Sequence, residues 1–281
     1  MNISEMHAVQ QLQRVNGAGE LTVKKVGELT RIDKLYQLGS AKIRFPKPTS
    51  RSLEAVLINT AGGLTGGDRI SWRAVAGNEC ELKLTTQASE KVYKSTGGIA
   101  TANIELSAGR NASLSWLPQD TILFDKSAIR RNIEVDLDAS AHCLIIEPLT
   151  FGRKAMGERV RNCLLHDSWN VRAGGSLVHS ERFKLDGDAT ALLESNAIAG
   201  GANAMATILF IGPNATSRLQ EVRDCILPLD AITGASAIQI GQTGKLLARI
   251  VAEDGYSLRK ALAPLIRLLN GKAGLPKIWA T

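Results

Sequence analysis

The feature that most constrains this 281-residue chain is a series of short runs in which apolar and polar residues alternate. In the run 101–107, for example, Ala102, Ile104 and Leu106 fall on one face and polar residues fall on the other. Such runs follow one another from about residue 20, roughly 8–12 residues apart, with Gly, Asn or Asp at many breaks. The pattern is typical of strands that bury one face, and it predicts an antiparallel all-β region.

The alternation predicts individual strands along most of the chain. A hairpin turn is expected at Ala173-Gly174-Gly175, and a second turn at 241–244. The predicted strands are 53–59, 69–75, 80–87, 101–107, 112–118, 132–138, 141–149, 164–172, 176–185, 204–211, 235–240 and 245–252.

In two segments near the C-terminal end the apolar residues recur at helical spacing instead. Ser217 is the expected N-cap of a helix over 217–227, and a longer helix is expected over 257–270. Pro264 should kink or split the longer helix. Its leucine stripe could dock on a partner helix or cover the protein's own sheet. The residues therefore predict a mainly β body with two helices toward the C-terminal end, after a mobile lead-in at 1–18.

Composition narrows the class of protein. A hydrophobic fraction of 44% with 22% charged residues excludes a disordered chain. The net charge of +7 favours acidic partners, but aromatic residues are only 4%, fewer than expected of a nucleic-acid-binding protein. Nucleic-acid binding stays open as an alternative, and it would weaken steeply with salt.

No run is long and apolar enough to predict a transmembrane helix, and the first residues do not resemble a signal peptide. The four cysteines are far apart and form no CxxC motif. We therefore expect a soluble cytoplasmic protein with reduced thiols, associated with neither membrane nor nucleic acid.

The histidines form no HxH or HxxxH pair, so no stable metal site is predicted. An oxygen-lined path that holds a metal transiently would leave no such spacing, and it stays open. The adjacent pairs Arg130-Arg131 and Lys24-Lys25 are interpreted as solvated strand faces.

Two loops stand out. The segment GGLTGGD at 62–68 allows close backbone approach by an anion or a partner, or it is a turn that Asp68 caps. In FGRKAMGE at 151–158, Arg153 and Glu158 follow closely after Glu147. The loop either positions these charges over a cavity or is a surface bend with a weak ion pair. A third alternative is a hydrolase in which Glu147 and Glu158 act as an acid and base pair.

The order of four motifs is more specific than any one of them. GGLTGGD at 62–68 is followed by LTTQASEKVYKS at 84–95, LSWLPQDTILFD at 114–125 and EPLTFGRKAMGE at 147–158. Together with LPKIW at 275–279, this order resembles the UreD family of urease accessory proteins, also called UreH, over roughly residues 50–281.

The resemblance implies a single UreD-like domain over 19–281, an elongated stack of antiparallel or mixed sheets, with a pair of helices at the UreF interface. It implies a maturation chaperone without turnover of its own. Such a protein binds apo-urease with UreF and the GTPase UreG and helps deliver nickel. The nickel would be transient, with no tightly bound cofactor, and would cross a polar internal passage.

Candidate residues follow from the matching positions. The expected passage-lining or supporting residues are Asp68, Thr85, Thr86, Glu147 and Glu158. The expected structural residues of the motifs are Gly66, Gly67, Trp116, Asp125 and Arg153.

Overall fold

The computed structural model describes residues 13–48 and 50–280, in which seventeen strands and three α-helices form. The strands are β1 (Asn16–Val26), β2 (Leu29–Gly39), β3 (Ala41–Arg44), β4 (Leu53–Asn59), β5 (Arg69–Ala76), β6 (Glu81–Thr86), β7 (Glu90–Val92), β8 (Ala100–Ala108), β9 (Ser113–Trp116), β10 (Thr121–Leu123), β11 (Ala128–Leu137), β12 (His142–Phe151), β13 (Cys163–Ala173), β14 (Ser176–Gly187), β15 (Ala204–Gly212), β16 (Ile232–Ile240) and β17 (Thr243–Ala252). The helices are α1 (Ala189–Glu194), α2 (Leu219–Ile226) and α3 (Gly255–Asn270).

The strands form two large sheets that the chain visits in turn. The first sheet has the order β14-β13-β11-β8-β5-β1-β2. The second has the order β16-β17-β15-β12-β9-β6-β4-β3, and the short strands β10 and β7 extend it sideways from β12. From β4 to β13 the chain winds as a coil, and each turn of the coil adds one strand to each large sheet. The protein is therefore mainly β, with mixed sheets in a stacked-coil arrangement.

The prediction that the alternating region is antiparallel is wrong for its centre. The successive pairs β5/β8, β8/β11 and β11/β13 are parallel, as are β4/β6, β6/β9 and β9/β12. Antiparallel pairs lie toward the ends, for example β13/β14, whose hairpin turn is Gly174-Gly175 as predicted. Alternation reports which face of a strand is buried and carries no information on the direction of its neighbour.

The parallel register stacks equivalent positions of successive coils. Ile104 lies beside Trp72 in the preceding coil and beside Ile133 in the next, and Ile133 lies beside Trp169. All four side chains are buried in the core between the two large sheets.

A second core lies on the other side of the second sheet. In β12, Cys143 and Ile145 face the first sheet, whereas Leu144 and Ile146 contact the layer that contains α2 and α3. A strand that is covered on both faces is apolar at successive positions, as the run from Cys143 to Ile146 is.

The C-terminal helices agree with the prediction in position and differ in detail. Pro264 does not split α3, and it lies on the exposed side of the continuous helix, which Asp254 caps by accepting from the Ser257 N–H at 2.8 Å. Ser217 is not the N-cap of α2, because it lies in a preceding 3₁₀ turn where its hydroxyl donates to the Asn214 carbonyl. The six-residue helix α1 is a third helix that the sequence pattern did not predict.

Strand β1 begins at Asn16, three residues before the predicted domain start at 19. Residues 1–12 of the predicted lead-in lie outside the described residues. None of the helices in the described ranges is long and apolar enough to cross a membrane.

Replacing Leu265 by Ala tests the helix-to-sheet core. Leu265 is fully buried in α3, so Leu265→Ala should lower the free energy of unfolding by about 2–5 kcal/mol. Lys260 is exposed on the same helix, and Lys260→Ala should change it by less than about 0.5 kcal/mol. Chemical denaturation of the two variants measures the difference, and equal midpoints would contradict the layered packing.

Candidate functional site

A buried arginine joins the two large sheets. Arg131 on β11 donates from its Nε to the Asp167 Oδ1 on β13 at 3.0 Å and from its Nη2 to the Asp167 Oδ2. Its Nη1 donates to the Glu147 carboxylate on β12, in the opposite sheet. Arg131, Glu147 and Asp167 are only 5%, 3% and 4% exposed, so the ion cluster is almost fully removed from water.

Neighbouring polar groups complete the cluster. The indole N–H of Trp116 donates to Glu147 Oε1 at 2.6 Å, and that of Trp169 donates to Asp167 Oδ1 at 2.9 Å. The Thr121 hydroxyl accepts from Arg131 Nη1 at 3.3 Å. Buried charges of this kind are tolerated when both an opposite charge and further hydrogen bonds are present.

The cluster holds two carboxylates for one guanidinium. Burial alone would disfavour the charge on Arg131, but Asp167 and Glu147 outweigh it and raise the pKa of Arg131. Burial raises the pKa of Glu147 from 4.5 to about 7; Arg131 opposes the rise and Asp167 adds to it. Glu147 therefore exchanges its proton near neutral pH while Arg131 stays charged.

The cluster borders a small cavity between the sheets, which we call the chamber. It has a volume of about 50 Å³, enough for a few water molecules. Arg131, Glu147, Glu90, Thr86 and Gln119 contribute its polar lining.

Two further cavities adjoin the chamber. The outer cavity, of about 150 Å³, shares Thr86, Glu90 and Trp72 with it. A larger cleft of about 450 Å³ shares Gln119 with the chamber and Ser89 with the outer cavity. The three spaces therefore lie next to one another in this part of the protein.

Among the expected passage residues, Glu147 and Thr86 line the chamber. The Thr86 hydroxyl accepts from the Gln119 backbone N–H at 2.8 Å and donates to the Ala88 carbonyl at 2.9 Å. Trp116, expected to be structural, also lines the chamber.

Asp68 and Thr85 line none of these three cavities. The buried Asp68 carboxylate accepts from the backbone N–H groups of Val15 and Thr65, which holds the glycine turn against β1. Asp68 thus has the geometry of the capping role that was the alternative for this loop. Thr85 is buried, and its hydroxyl has no hydrogen-bond partner among the described residues.

Two positions of that turn require glycine, each for a different reason. A Cβ at Gly66 would come within 2.3 Å of the Gly97 carbonyl oxygen, so the close approach of two loops requires glycine there. Gly67 has φ +87°, a backbone conformation that residues other than glycine rarely adopt.

Glu158 closes the second conspicuous loop and lines none of the three cavities. Its carboxylate accepts from Arg153 Nε at 2.7 Å and from the Asp125 backbone N–H at 3.2 Å. Asp125 in turn accepts from the backbone N–H groups of Arg161 and Asn162. Glu147 and Glu158 thus bind different partners, since Glu147 contacts Arg131 and Trp116.

The interpretation of Arg130-Arg131 as a solvated pair is wrong for Arg131. Arg130 is exposed, but Arg131 is on the inner face with Ile129 and Ile133. Adjacent residues of a strand point to opposite faces, so Arg131 shares its face with apolar residues. An ionisable residue among apolar residues of one strand face is the sequence pattern that could have indicated its burial. Asp167, between the buried Leu165 and Trp169, had the same signal. Glu90 and Gln119 lie within the motifs at 84–95 and 114–125, but no spacing of residues indicated that they line a cavity.

The cysteines line none of the three cavities. Cys80, Cys143 and Cys163 are buried elsewhere, and burial raises the pKa of the Cys143 and Cys163 thiols to about 12. Within the described ranges, no group of three or more His, Cys, Asp or Glu side chains is placed to hold a metal ion. The chamber offers scattered carboxylate, hydroxyl and amide oxygens instead.

Comparison with known proteins gives one consistent family. Residues 15–280 match the family described as UreD urease accessory protein. The chain is 47% identical over 268 residues to urease accessory protein UreD 1 of Brucella melitensis biotype 1, covering 95% of each chain. It is also 47% identical over 268 residues to urease accessory protein UreD of Mesorhizobium japonicum (95% of each chain) and 46% identical over 267 residues to that of Agrobacterium fabrum (95% of this chain, 92% of the relative).

The raised pKa of Glu147 predicts a pH-dependent stability. The folded chain holds this proton up to about pH 7, whereas the unfolded chain releases it near 4.5, so the contribution of Glu147 to the free energy of unfolding decreases between those values. Glu147→Gln removes that titration. The stability of the wild type relative to Glu147→Gln should therefore fall from pH 5 to pH 7, as measured by urea unfolding, and a constant difference would contradict the assignment.

Proposed function

Because the chain belongs to the UreD family of urease accessory proteins, we propose that it binds apo-urease together with UreF and the GTPase UreG and conducts nickel toward the urease active site. It is a urease accessory protein and not an enzyme. In this proposal the chamber and its two adjoining cavities are the route of the nickel ion.

The observation that carries the proposal is the chamber beside the ion cluster, an unfilled space between the sheets that shares lining residues with two neighbouring cavities. Interiors between two sheets are normally filled by apolar side chains, and an unfilled space beside buried charges has a continuing cost in stability. Its lining residues Thr86, Trp116 and Glu147 come from the motifs on which the family resemblance depends. A space of this kind is expected if an ion has to cross the core.

The donor set suits transit better than storage. Carboxylate and hydroxyl oxygens bind nickel less tightly than clusters of imidazole or thiolate do, so the ion can leave again. Arg131 strengthens this effect because its fixed positive charge lies against Glu147 and repels a second cation. The ion cluster therefore provides a carboxylate while it prevents tight capture.

The leucine stripe of α3 is not a partner-binding surface in this proposal. That stripe covers the protein's own sheet, because Leu258, Leu262 and Leu269 are buried in the second core. Exposed apolar side chains remain on β2, including Leu35 and Leu38, which suits a chain that works within a larger complex.

A cytoplasmic location is part of the proposal. The four cysteines are unpaired, which suits a reducing compartment. The net charge of +7 would favour association with acidic surfaces of the urease machinery.

The first test compares urease activity in cells that carry the urease and accessory genes with and without this chain. With nickel in the medium, activity should appear only when the chain is present. Urease protein levels serve as the control, since the chain should change activation and not expression. Equal activity without the chain would contradict the proposal.

Filling the chamber tests the route. Ala102 lines the chamber beside Arg131, so Ala102→Leu should obstruct it and lower the nickel content of urease several-fold while the complex still assembles. Ala108 is equally buried on the same strand away from the chamber, and Ala108→Leu introduces the same overpacking, which costs about 1–3 kcal/mol. Equal nickel content of urease matured with either variant would contradict a route through the chamber.

A further inference from the structure

One edge of the coil carries exposed cations in successive turns of the chain. The loops at this edge lead from the second sheet to the first and are joined by backbone hydrogen bonds. The Ser95 N–H donates to the Lys126 carbonyl at 2.8 Å, and the Lys126 N–H donates to the Asn162 carbonyl at 2.5 Å. Lys94 and Arg161 are the chain neighbours of these loop residues. Three cations are therefore stacked in three successive coils, whose backbones lie about 5 Å apart.

Arg130 extends this stack onto the outer face of the first sheet. It is the third residue of β11 and is exposed. In the parallel register it lies between Thr101 on β8 and His166 on β13. We call Arg130 and the three loop cations the basic edge, which consists of Lys94, Lys126, Arg130 and Arg161.

The cations of the basic edge have no counter-charge. All four are exposed, and within the described ranges none of their side chains forms an ion pair or a hydrogen bond. The acidic side chains of the same loops are bound elsewhere. Asp125 accepts from the backbone N–H groups of Arg161 and Asn162, and Glu158 binds Arg153. Like charges in successive coils repel one another, so this arrangement costs stability unless an anionic partner covers it.

Two exposed apolar side chains accompany the cations. Tyr93 is 39% exposed, and Met156 is 73% exposed in the loop that begins with Arg153. The two loops meet at Phe124, whose ring contacts the Tyr93 ring edge-to-face at 5.1 Å between centroids. The Arg153 guanidinium lies 4.4 Å from the centroid of the same Phe124 ring. Aromatic residues, Met and Arg are enriched in protein–protein interfaces, so their combination here is typical of a surface that binds protein.

We propose that the basic edge, with Tyr93 and Met156, is a docking surface for an acidic patch on a protein partner in the urease complex. This inference rests on the proposed function and assigns to it a surface by which the chain recognises its partner. Carboxylates of the partner pair with the four cations, which accelerates association and fixes the orientation. Tyr93 and Met156 then pack against apolar groups of the partner and slow its release.

A nucleic acid fits this surface less well. Glu105 and Glu134 are exposed side by side on β8 and β11, four residues beyond the level of Arg130 on the same outer face. Phosphates that extended from the basic edge across the sheet would meet these carboxylates. For stacking against bases, this part of the described chain exposes the single ring of Tyr93, whereas single-strand binding surfaces stack successive bases.

The test is the dissociation constant of the full chain for the purified complex of apo-urease and its other accessory proteins, measured at about 50 and about 300 mM NaCl. The edge variant combines Lys94→Gln, Lys126→Gln, Arg130→Gln and Arg161→Gln. It should raise the Kd by about tenfold or more at low salt and should reduce the dependence on salt, because the charges that salt screens are gone.

A control variant removes the same charge from other parts of the surface. It combines four exposed cations that have no ion pair within the described ranges: Arg172→Gln, Lys260→Gln, Arg267→Gln and Lys272→Gln. This variant should bind within about twofold of the wild type. Met156→Ser tests the apolar contact, and it should weaken binding by a similar factor at both salt concentrations.

Three results would overturn the basic edge while leaving the proposed function intact. The first is an edge variant that binds as the wild type does, and the second is an equal loss in the edge and control variants, which would show that net charge alone acts. The third is a duplex DNA fragment that the wild type binds and the edge variant does not, with binding to the protein complex unchanged. If the wild-type chain does not bind the complex at all, the proposed function itself fails.

Discussion

The ion cluster of Arg131 with Glu147 and Asp167 is the interaction on which the rest of this structure depends. It places a charged side chain between two sheets whose shared core is mostly apolar. Removing Arg131 would leave two buried carboxylates without a cation, and breaking a buried ion pair in this way typically costs about 3–5 kcal/mol. Glu147 lies beside the chamber, and the guanidinium that binds it also contacts Asp167 and Thr121.

The coil explains how residues far apart in sequence meet at one level. Arg131 and Asp167 are 36 residues apart and lie side by side, because each coil returns a strand to the same sheet in parallel register. Glu147, 16 residues from Arg131, arrives from the opposite sheet within the same coil. The chamber is therefore built by stacking, since its lining residues come from strands of successive coils.

Predictions from sequence succeeded where the signal was local. The run 53–59 coincides with β4, and 204–211 lies within β15, since alternation and apolar runs follow directly from burial. They failed where the answer depended on a neighbour. Arg131 resembled an ordinary surface residue, but it is buried, and its own strand gives no sign of the two carboxylates that it contacts.

The sequence by itself determined the strand-rich character, the C-terminal helices and, through the order of its motifs, the family. These depend on side-chain type and spacing along one stretch of chain. Only the tertiary structure decided that the central strands run parallel, that Arg131 contacts two carboxylates, and that Glu90 borders the same space as Glu147. The physical reason is that pairing direction and charge compensation are set by contacts between coils, and no local pattern encodes which residues of successive coils share a level.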